Sequence, residues 1–144
     1  MKYFKENYVI DTDKNRLDRK LIHSFLLTTY WAKTITFEQV NKAIENSLCF
    51  GMYSDDKQIG FARVLSDFSG FAYIADVFIL PERRGKGLSK WLMEVILEYP
   101  DLQNLRRWLL ATKDAHSLYE KFGFTQLENP KQFMELHDSE KNPY

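Results

Sequence analysis

Apolar side chains recur at helical spacing in three stretches of the chain. In each stretch they fall on one face of a helix, as the i, i+3, i+4, i+7 template requires. The members are Leu17, Leu21, Ile22, Phe25 and Leu26, then Phe37, Val40 and Ile44, then Leu88, Trp91, Leu92, Val95 and Ile96. Thr36 and Gln39 form a capping-box pattern at the start of the second. A shorter helix is predicted from Asp114 to Phe122, with Gly123 as its terminating residue.

Between the helices lie runs that are typical of strands. A first strand is predicted from Lys5 to Ile10, a hairpin from Cys49 to Tyr53 and Ile59 to Leu65, and further strands from Phe71 to Leu80 and Arg107 to Thr112. The run from Phe71 to Leu80 is apolar apart from Tyr73 and Asp76, which predicts a central strand covered on both faces. One or two final strands are expected from Phe124 onward, including Phe133 to Leu136, before a polar tail from His137 to Tyr144.

This order predicts one α/β (α+β) domain over residues 1–144, with a mixed central sheet flanked by helices. The central strand is expected to cross over to a parallel neighbour through the helix that begins near Gly87. With 144 residues and 44% hydrophobic side chains, the chain has material for one compact core.

Composition narrows the classes of function. Lys plus Arg and Asp plus Glu both number 20, so an overall basic footprint for nucleic acid is absent. Cys49 is the only cysteine, which excludes an internal disulfide and a Cys-rich zinc site, and its apolar setting favours a core residue over a nucleophile. Neither a signal peptide nor an apolar run long enough for a membrane span is evident. We therefore expect a soluble, cytoplasmic enzyme or binding domain without a metal.

The segment Arg84-Gly85-Lys86-Gly87-Leu88-Ser89 stands between the buried strand and the strongest helix. Free N–H groups in a first helical turn bind anions, and glycines let the backbone approach a phosphate closely. A solvated basic turn is the other interpretation of these residues alone. A P-loop and a dinucleotide fingerprint are both excluded because their glycine spacings are not present.

Two motifs give the chain a resemblance to a known family. The segment from Asp76 to Ser89 resembles the coenzyme A signature of the GNAT acetyltransferases, a strand followed by Arg/Gln-x-x-Gly-x-Gly/Ala and a helix. Arg84 and Gly87 match its fixed positions, and Ser89 stands where Gly or Ala is usual. About thirty residues on, the segment from Ala115 to Phe124 is similar to the family's Ala-x-x-Leu-Tyr-x-x-x-Gly-Phe.

The resemblance implies an acetyl-CoA-dependent N-acetyltransferase with the GNAT fold. Pyrophosphate would rest on the backbone of Arg84, Gly85, Lys86, Gly87, Leu88 and Ser89, and the pantetheine arm would pair with Val77, Phe78 and Ile79. A backbone N–H near Val77 or Phe78 would stabilise the developing oxyanion. Tyr119 matches the family tyrosine that protonates the departing thiolate. Thr112 stands where the family often has Asn, and would bind the pantetheine or a water.

The remaining roles are less sharply indicated. An alkylamine must lose a proton before it attacks, and Asp76 is the leading candidate for the general base, with a structural carboxylate as the equal alternative. His116 and His23 are further candidates for the base, and a water chain is another. Tyr30 and Trp31 are expected to contact the acceptor, together with the turn near Phe68, although aromatic residues also serve as core.

Three classes of function follow from the sequence. The first is an enzyme that moves acetyl directly from acetyl-CoA to a primary amine, either a small molecule or a protein lysine. The second is a catalytically silent CoA-binding sensor or scaffold, and retention of Tyr119 argues against it. The third, a nucleic-acid protein with a basic patch at Arg83 to Lys86, is disfavoured by the neutral charge. The chain is expected to be a monomer or a homodimer that binds neither nucleic acid nor membrane.

Overall fold

The computed structural model describes residues 1–141 and has six strands in one sheet, ordered β1-β2-β3-β4-β5-β6. The strands are β1 (Lys2–Lys5), β2 (Tyr8–Asp11), β3 (Leu48–Ser54), β4 (Lys57–Ser66), β5 (Phe71–Ile79) and β6 (Arg107–Leu110). The α-helices are α1 (Arg19–Leu26), α2 (Phe37–Glu45), α3 (Leu88–Glu98) and α4 (His116–Glu120). Neighbouring strands are antiparallel except β5 and β6, which are parallel and joined through α3. The predicted mixed sheet and the predicted crossover are both confirmed.

The sheet separates two apolar cores. The larger one lies between the sheet and α3, where Leu92, Met93 and Ile96 are fully buried. The smaller one lies on the opposite face, where Ile22 and Ile44 of α1 and α2 pack against the sheet. All three helical stripes predicted from the sequence therefore face a core, although Phe37 at the start of α2 is exposed. The capping box at Thr36 and Gln39 is present with both of its hydrogen bonds.

Two of the strand predictions are wrong at the ends of the chain. The single strand predicted from Lys5 to Ile10 is a hairpin, because the backbone turns at Glu6, which adopts a φ of 53°, and β1 pairs with β2. The final strands predicted from Phe124 onward are not formed: within residues 1–141, no strand follows β6. Phe133 to Leu136 is extended in sequence pattern but has no partner in the sheet. The predicted tail residues 142–144 lie outside the described residues.

Other boundaries are shorter than predicted. β6 ends at Leu110 rather than at Thr112, and α4 covers His116–Glu120 rather than Asp114 to Phe122. Gly123 has a φ of 90°, as expected for a residue that ends a helix in the left-handed conformation. None of the helices described here is long and apolar enough to cross a membrane.

Candidate active site

A β-bulge interrupts β5 near its C-terminal end. Phe61 pairs with Phe78 and Arg63 pairs with Ala75, so two residues of β5, Asp76 and Val77, oppose a single residue of β4. Asp76 has a φ of 54°, a left-handed conformation that an Asp side chain tolerates better than most. The extra residue increases the local bend of the strand.

The same end of β5 parts from β6. The parallel ladder stops at the pair Ile74 and Leu110, and no strand among residues 1–141 pairs with the following five residues of β5 on that side. The Leu80 N–H donates to the Ile59 carbonyl, at 2.8 Å. Because donors alternate along a regular antiparallel strand, the N–H of Phe78 also faces β4, and that of Ile79 faces the open side. Of the two amides predicted for an oxyanion, that of Phe78 is therefore directed toward β4, and that of Val77 lies within the bulge.

A cavity of about 380 Å³ occupies the gap between β5 and β6. Its walls come from the loop after α1, from both strands and from α4. The predicted site residues among its lining are Tyr30, Trp31, Asp76, Val77, Thr112 and Tyr119. Neither Phe68, which is exposed in the β4–β5 turn, nor His116 contributes to the lining. The structure thus brings together residues that are up to 89 positions apart in the sequence, from Tyr30 to Tyr119.

Tyr119 stands at one side of this cavity, buried against Phe124 and the larger core. Its burial, followed by the nearby Tyr30 and Asp114, raises the pKa of its phenol to about 12. The hydroxyl consequently keeps its proton throughout the neutral pH range. This state is the one required of a proton donor.

Asp76 stands on the opposite wall and is held by two donors. The Trp31 Nε1–H donates to one carboxylate oxygen, at 3.0 Å, and the Arg63 Nε–H donates to the other in an ion pair. Arg63 is held in turn by Ser47, which accepts a hydrogen bond of 3.3 Å. These contacts match the structural-carboxylate alternative, and they connect the loop after α1 to the bulged strand.

The loop that carries Tyr30 and Trp31 is fixed at a second point. The Lys113 backbone N–H donates to the Tyr30 hydroxyl, at 2.9 Å, and the Lys113 ammonium lies 5.6 Å from the centre of the Tyr30 ring. The Tyr30 and Trp31 rings meet edge to face, 5.0 Å apart. The aromatic wall is therefore anchored to β5, through Asp76, and to the connection between β6 and α4, through Lys113.

Sequence reasoning missed Arg63, Tyr73 and Asp114, all of which line the cavity. Arg63 carried a usable signal, since it is the lone charge within the run from Ile59 to Leu65 and could have been paired with the lone Asp76 of the next strand. His23, in contrast, donates from Nε2 to the Ile35 carbonyl, at 2.9 Å, and packs on Phe37 away from the cavity. Thr112 accepts from the Ala115 N–H, at 3.0 Å, which orders the approach to α4.

The glycine-rich loop beyond β5 is built as an open anion cradle. Gly85 and Gly87 have φ values of 82° and 72°, and a Cβ added to either would meet no atom within 4 Å. Gly87 is the N-cap of α3 and no side chain caps the helix, so the first-turn N–H groups remain available. The Arg84 Nε–H donates to the Ile79 carbonyl, at 3.0 Å, and ties the loop to the end of β5. These features fit a bound pyrophosphate.

Several known proteins share this architecture. A crystal structure assigned to the GNAT family from Xanthomonas campestris pv. campestris superposes with a TM-score of 0.90 and 48% identity, over 94% of this chain and 96% of that one. A provisionally named acetyltransferase of Gibberella zeae is 28% identical over 80% of this chain and 77% of its own length. A Clostridium acetobutylicum structure, a provisional acetyltransferase crystallised with acetyl-CoA, shares the fold at a TM-score of 0.66 and 17% identity, over 91% and 95% of the two chains.

The family model described as "Acetyltransferase (GNAT) family" matches residues 18–124, a range that contains both sequence motifs and every residue of the cavity named above. The chain therefore belongs to the GNAT family of acetyltransferases and is an enzyme of the acyltransferase class.

Proposed function

We propose that the protein transfers the acetyl group of acetyl-CoA directly to a primary amine while both substrates are bound. The observation that carries this proposal is the cavity between β5 and β6, which is lined by the edge of β5 that β6 leaves unpaired, by the Tyr119 phenol and by the rings of Tyr30 and Trp31. Acetyl-CoA would supply the activated thioester. The residues of this chain bind acetyl-CoA, orient the amine and donate or accept the protons that the reaction transfers.

Donor binding is assigned to the cradle and the open strand. We assign the pyrophosphate to the backbone of Arg84 to Ser89, with Lys86 as an exposed counter-charge. The pantetheine arm would take the hydrogen-bonding edge of Val77 to Ile79 that β6 leaves free. The Val77 N–H then faces the developing negative charge on the acyl oxygen, in a site where a fixed donor needs no reorganisation.

Tyr119 is proposed as the group that donates a proton to the departing thiolate. Its raised pKa keeps the donor protonated, and its side chain lines the cavity between β5 and β6. Asp76 is proposed to act as a positioning residue that holds the bulge and Trp31, because both of its oxygens already accept hydrogen bonds. The pH profile of an Asp76 variant distinguishes this role from that of general base.

Direct transfer is favoured because the cavity offers no thiol to carry the acetyl group. Cys49, the only cysteine in the sequence, is buried in the smaller core, and burial raises the pKa of its thiol to about 11. A protonated, enclosed thiol is a poor nucleophile. The acceptor amine, from a small molecule or a protein lysine, is proposed to enter past Tyr30 and Trp31. The expected cytoplasmic location is part of the same proposal.

The test is release of free CoA thiol from acetyl-CoA across a panel of amines that includes small monoamines, diamines, amino acids and lysine peptides. Turnover with any amine, absent when the amine is omitted, supports the proposal. Stabilisation of the protein by acetyl-CoA without turnover on any amine in the panel would favour the silent CoA-binding module instead.

A further inference from the structure

Asp114 is a charged residue of the cavity to which the reaction proposed above gives no role. It lies in the connection between β6 and α4, is exposed, and lines the same cavity as Tyr119. Within residues 1–141, its carboxylate takes part in no hydrogen bond and no ion pair. Its charge nevertheless reaches the proposed proton donor, since it follows burial and Tyr30 among the causes that raise the pKa of Tyr119. The Asp114 carboxylate is therefore near the reacting groups and available to a ligand.

The other charged side chains of the lining compensate each other. Arg63 and Asp76 form an ion pair, and both oxygens of Asp76 accept hydrogen bonds. Lys113 precedes Asp114 in the sequence, but its ammonium lies 5.6 Å from the centre of the Tyr30 ring, and Lys113 does not contribute to the lining. In the part of the chain that the structure describes, the cavity therefore has one negative charge without a counter-charge.

The rest of the cavity suits a short hydrocarbon chain. Its volume is about 380 Å³, and most of its other lining residues are aromatic or aliphatic, among them Trp31, Ile35, Tyr73 and Leu110. Sites of this kind hold the apolar part of a ligand by contact, and a small number of polar groups fix its orientation. A methylene chain satisfies the apolar walls, and a positive charge at its end would satisfy Asp114.

We propose that the acceptor is a small aliphatic diamine, of which one nitrogen is acetylated while the other stays protonated and pairs with the Asp114 carboxylate. This inference rests on the acetyl transfer proposed above and names its substrate class. In the transfer, the unprotonated nitrogen forms a bond to the acetyl carbon and the carbon–sulfur bond breaks. The nitrogen gives up one proton and the departing thiolate takes one up, so the product retains a single ammonium at Asp114.

The same charges select against acceptors that carry a carboxylate or a phosphate. Among residues 1–141, Arg63 is the cation of the lining, and its donors already reach Asp76 and Ser47. An amino acid or an amino-sugar phosphate would place a second negative charge near Asp114 without an available cation to match it. Unpaired charge of this kind is a common device for rejecting a wrong ligand.

The experiment compares three acceptors with the same four-carbon chain: 1,4-diaminobutane, n-butylamine and 4-aminobutanoate. Their far ends are positive, neutral and negative, and release of CoA thiol at saturating acetyl-CoA measures kcat/KM for each. For wild type, kcat/KM should fall in that order, with the diamine preferred over n-butylamine by about three- to tenfold, the range for one charge pair near a protein surface. The difference should lie mainly in KM, because the far ammonium makes the same contact before and during the reaction.

Asp114→Asn is the decisive variant, because it removes the charge and keeps the shape of the side chain. The preference for the diamine should fall to about twofold, the statistical advantage of two reactive ends, while kcat/KM for n-butylamine stays within about threefold of wild type. Asp114→Lys should shift the preference toward 4-aminobutanoate. Asp101→Asn is the matched control, since it removes an exposed carboxylate in the turn after α3, outside the cavity lining, and should leave the preference unchanged.

The outcomes separate this inference from the acetyl transfer on which it rests. If wild type uses n-butylamine as well as it uses the diamine, or if Asp114→Asn keeps the wild-type preference, the diamine assignment is overturned and acetyl transfer stands. The assignment is also overturned if Asp101→Asn removes the preference, or if Asp114→Asn loses n-butylamine turnover to the same extent as diamine turnover. Absence of thiol release with every amine overturns acetyl transfer itself, and the diamine assignment with it.

Discussion

The first half of β5 is paired on both edges from Ala72 to Ile74, whereas the second half, from Ala75 to Ile79, is paired with β4 alone among the strands of residues 1–141. The first half follows a regular register with β4, and its Ala72 and Ile74 side chains are buried in the larger core. The second half carries the bulge, the left-handed Asp76 and the edge that borders the cavity. One continuous strand thus anchors the fold over its first half and exposes backbone donors for a ligand over its second.

This contrast shows how a rigid sheet can hold a backbone-lined site. A strand edge that is free along its whole length would be unstable and prone to association. Here the ladder to β6 positions the strand and stops at Ile74, so the residues beyond it keep a fixed direction without a neighbour. The separation predicts that substitutions in the two halves affect different quantities: the free energy of unfolding in one, and donor binding or turnover in the other.

The largest effect is expected from Tyr119→Phe, which removes the proposed proton donor at the open half while keeping the ring that fills the core. The maximal rate of thiol release should fall by about 10²- to 10⁴-fold, the usual contribution of a positioned acid. Stabilisation by acetyl-CoA should be unchanged, because no donor-binding contact is removed. A loss of turnover below about threefold would remove Tyr119 from the mechanism.

The pH dependence of the free energy of unfolding gives a second test of the burial of Tyr119. Because burial raises the pKa of Tyr119 from 10.0 to about 12, deprotonation is easier in the unfolded chain. The stability that neutral Tyr119 contributes is fully present below pH 10 and is lost as the pH rises from 10 to 12. Denaturant titrations of wild type and Tyr119→Phe in this interval should therefore show a steeper loss of stability for wild type.

The substitution Gly87→Glu tests whether the glycine-rich loop that follows β5 binds the pyrophosphate. At acetyl-CoA concentrations near 100 times the dissociation constant, wild type should gain about 2.7 kcal/mol of stability from ligand binding. The variant should gain none, because its carboxylate would occupy the anion site. Gly87→Asn is the matched control, since Asn tolerates the left-handed φ of 72° and its side chain meets open space. If Asn abolished the gain as completely as Glu does, the loss could not be assigned to charge.

A matched pair of Val→Ala substitutions compares the two regions directly. Val64 of β4 pairs with Ile74, in the half of β5 that has a neighbouring strand on both sides, and it is 1% exposed. Val77 is half-buried in the bulge. We expect Val64→Ala to lower the free energy of unfolding by about 1–3 kcal/mol, from lost burial and a cavity, and Val77→Ala to lower it by less. Chemical denaturation measures both, and equal losses would contradict the expectation that side chains beside the first half of β5 contribute more to stability than those in the bulge.

The smallest effect on turnover is expected from Asp76→Asn. Asn still accepts a hydrogen bond from Trp31 or Arg63, so a positioning role predicts a loss of less than about tenfold and an unchanged shape of the pH–rate profile. Loss of the acidic limb of that profile, with a fall of about a hundredfold or more, would identify Asp76 as the general base instead.

The features that were predictable from the sequence depend on local signals. The capping box of α2 and the glycine loop before α3 involve residues within a few positions of one another, so their chemistry is visible in a short window. The bulge at Asp76 was not predictable in this way, because it is defined by which residues of β4 stand opposite. The Asp76–Arg63 pair likewise joins two strands, and only the register shows that these lone charges meet.

The wrong predictions have the same physical origin. Phe133 to Leu136 has the alternation of a strand, but a strand forms only where a partner edge is within reach, and the sequence does not reveal where Phe133 is anchored. The hairpin of β1 and β2 turns at Glu6 and Asn7, and only Asn7 is a residue type that favours turns, whereas the left-handed conformation falls on Glu6.

The contacts of Asp76 have a consequence for how the two substrates influence each other. Its carboxylate touches Trp31, on the side where the amine is proposed to enter, and its backbone is part of the bulge beside the donor edge. A shift of the strand on binding of one proposed substrate would therefore reach the proposed binding surface of the other through Asp76. By thermodynamic reciprocity, the factor by which acetyl-CoA changes the affinity for the amine must equal the factor by which the amine changes the affinity for acetyl-CoA.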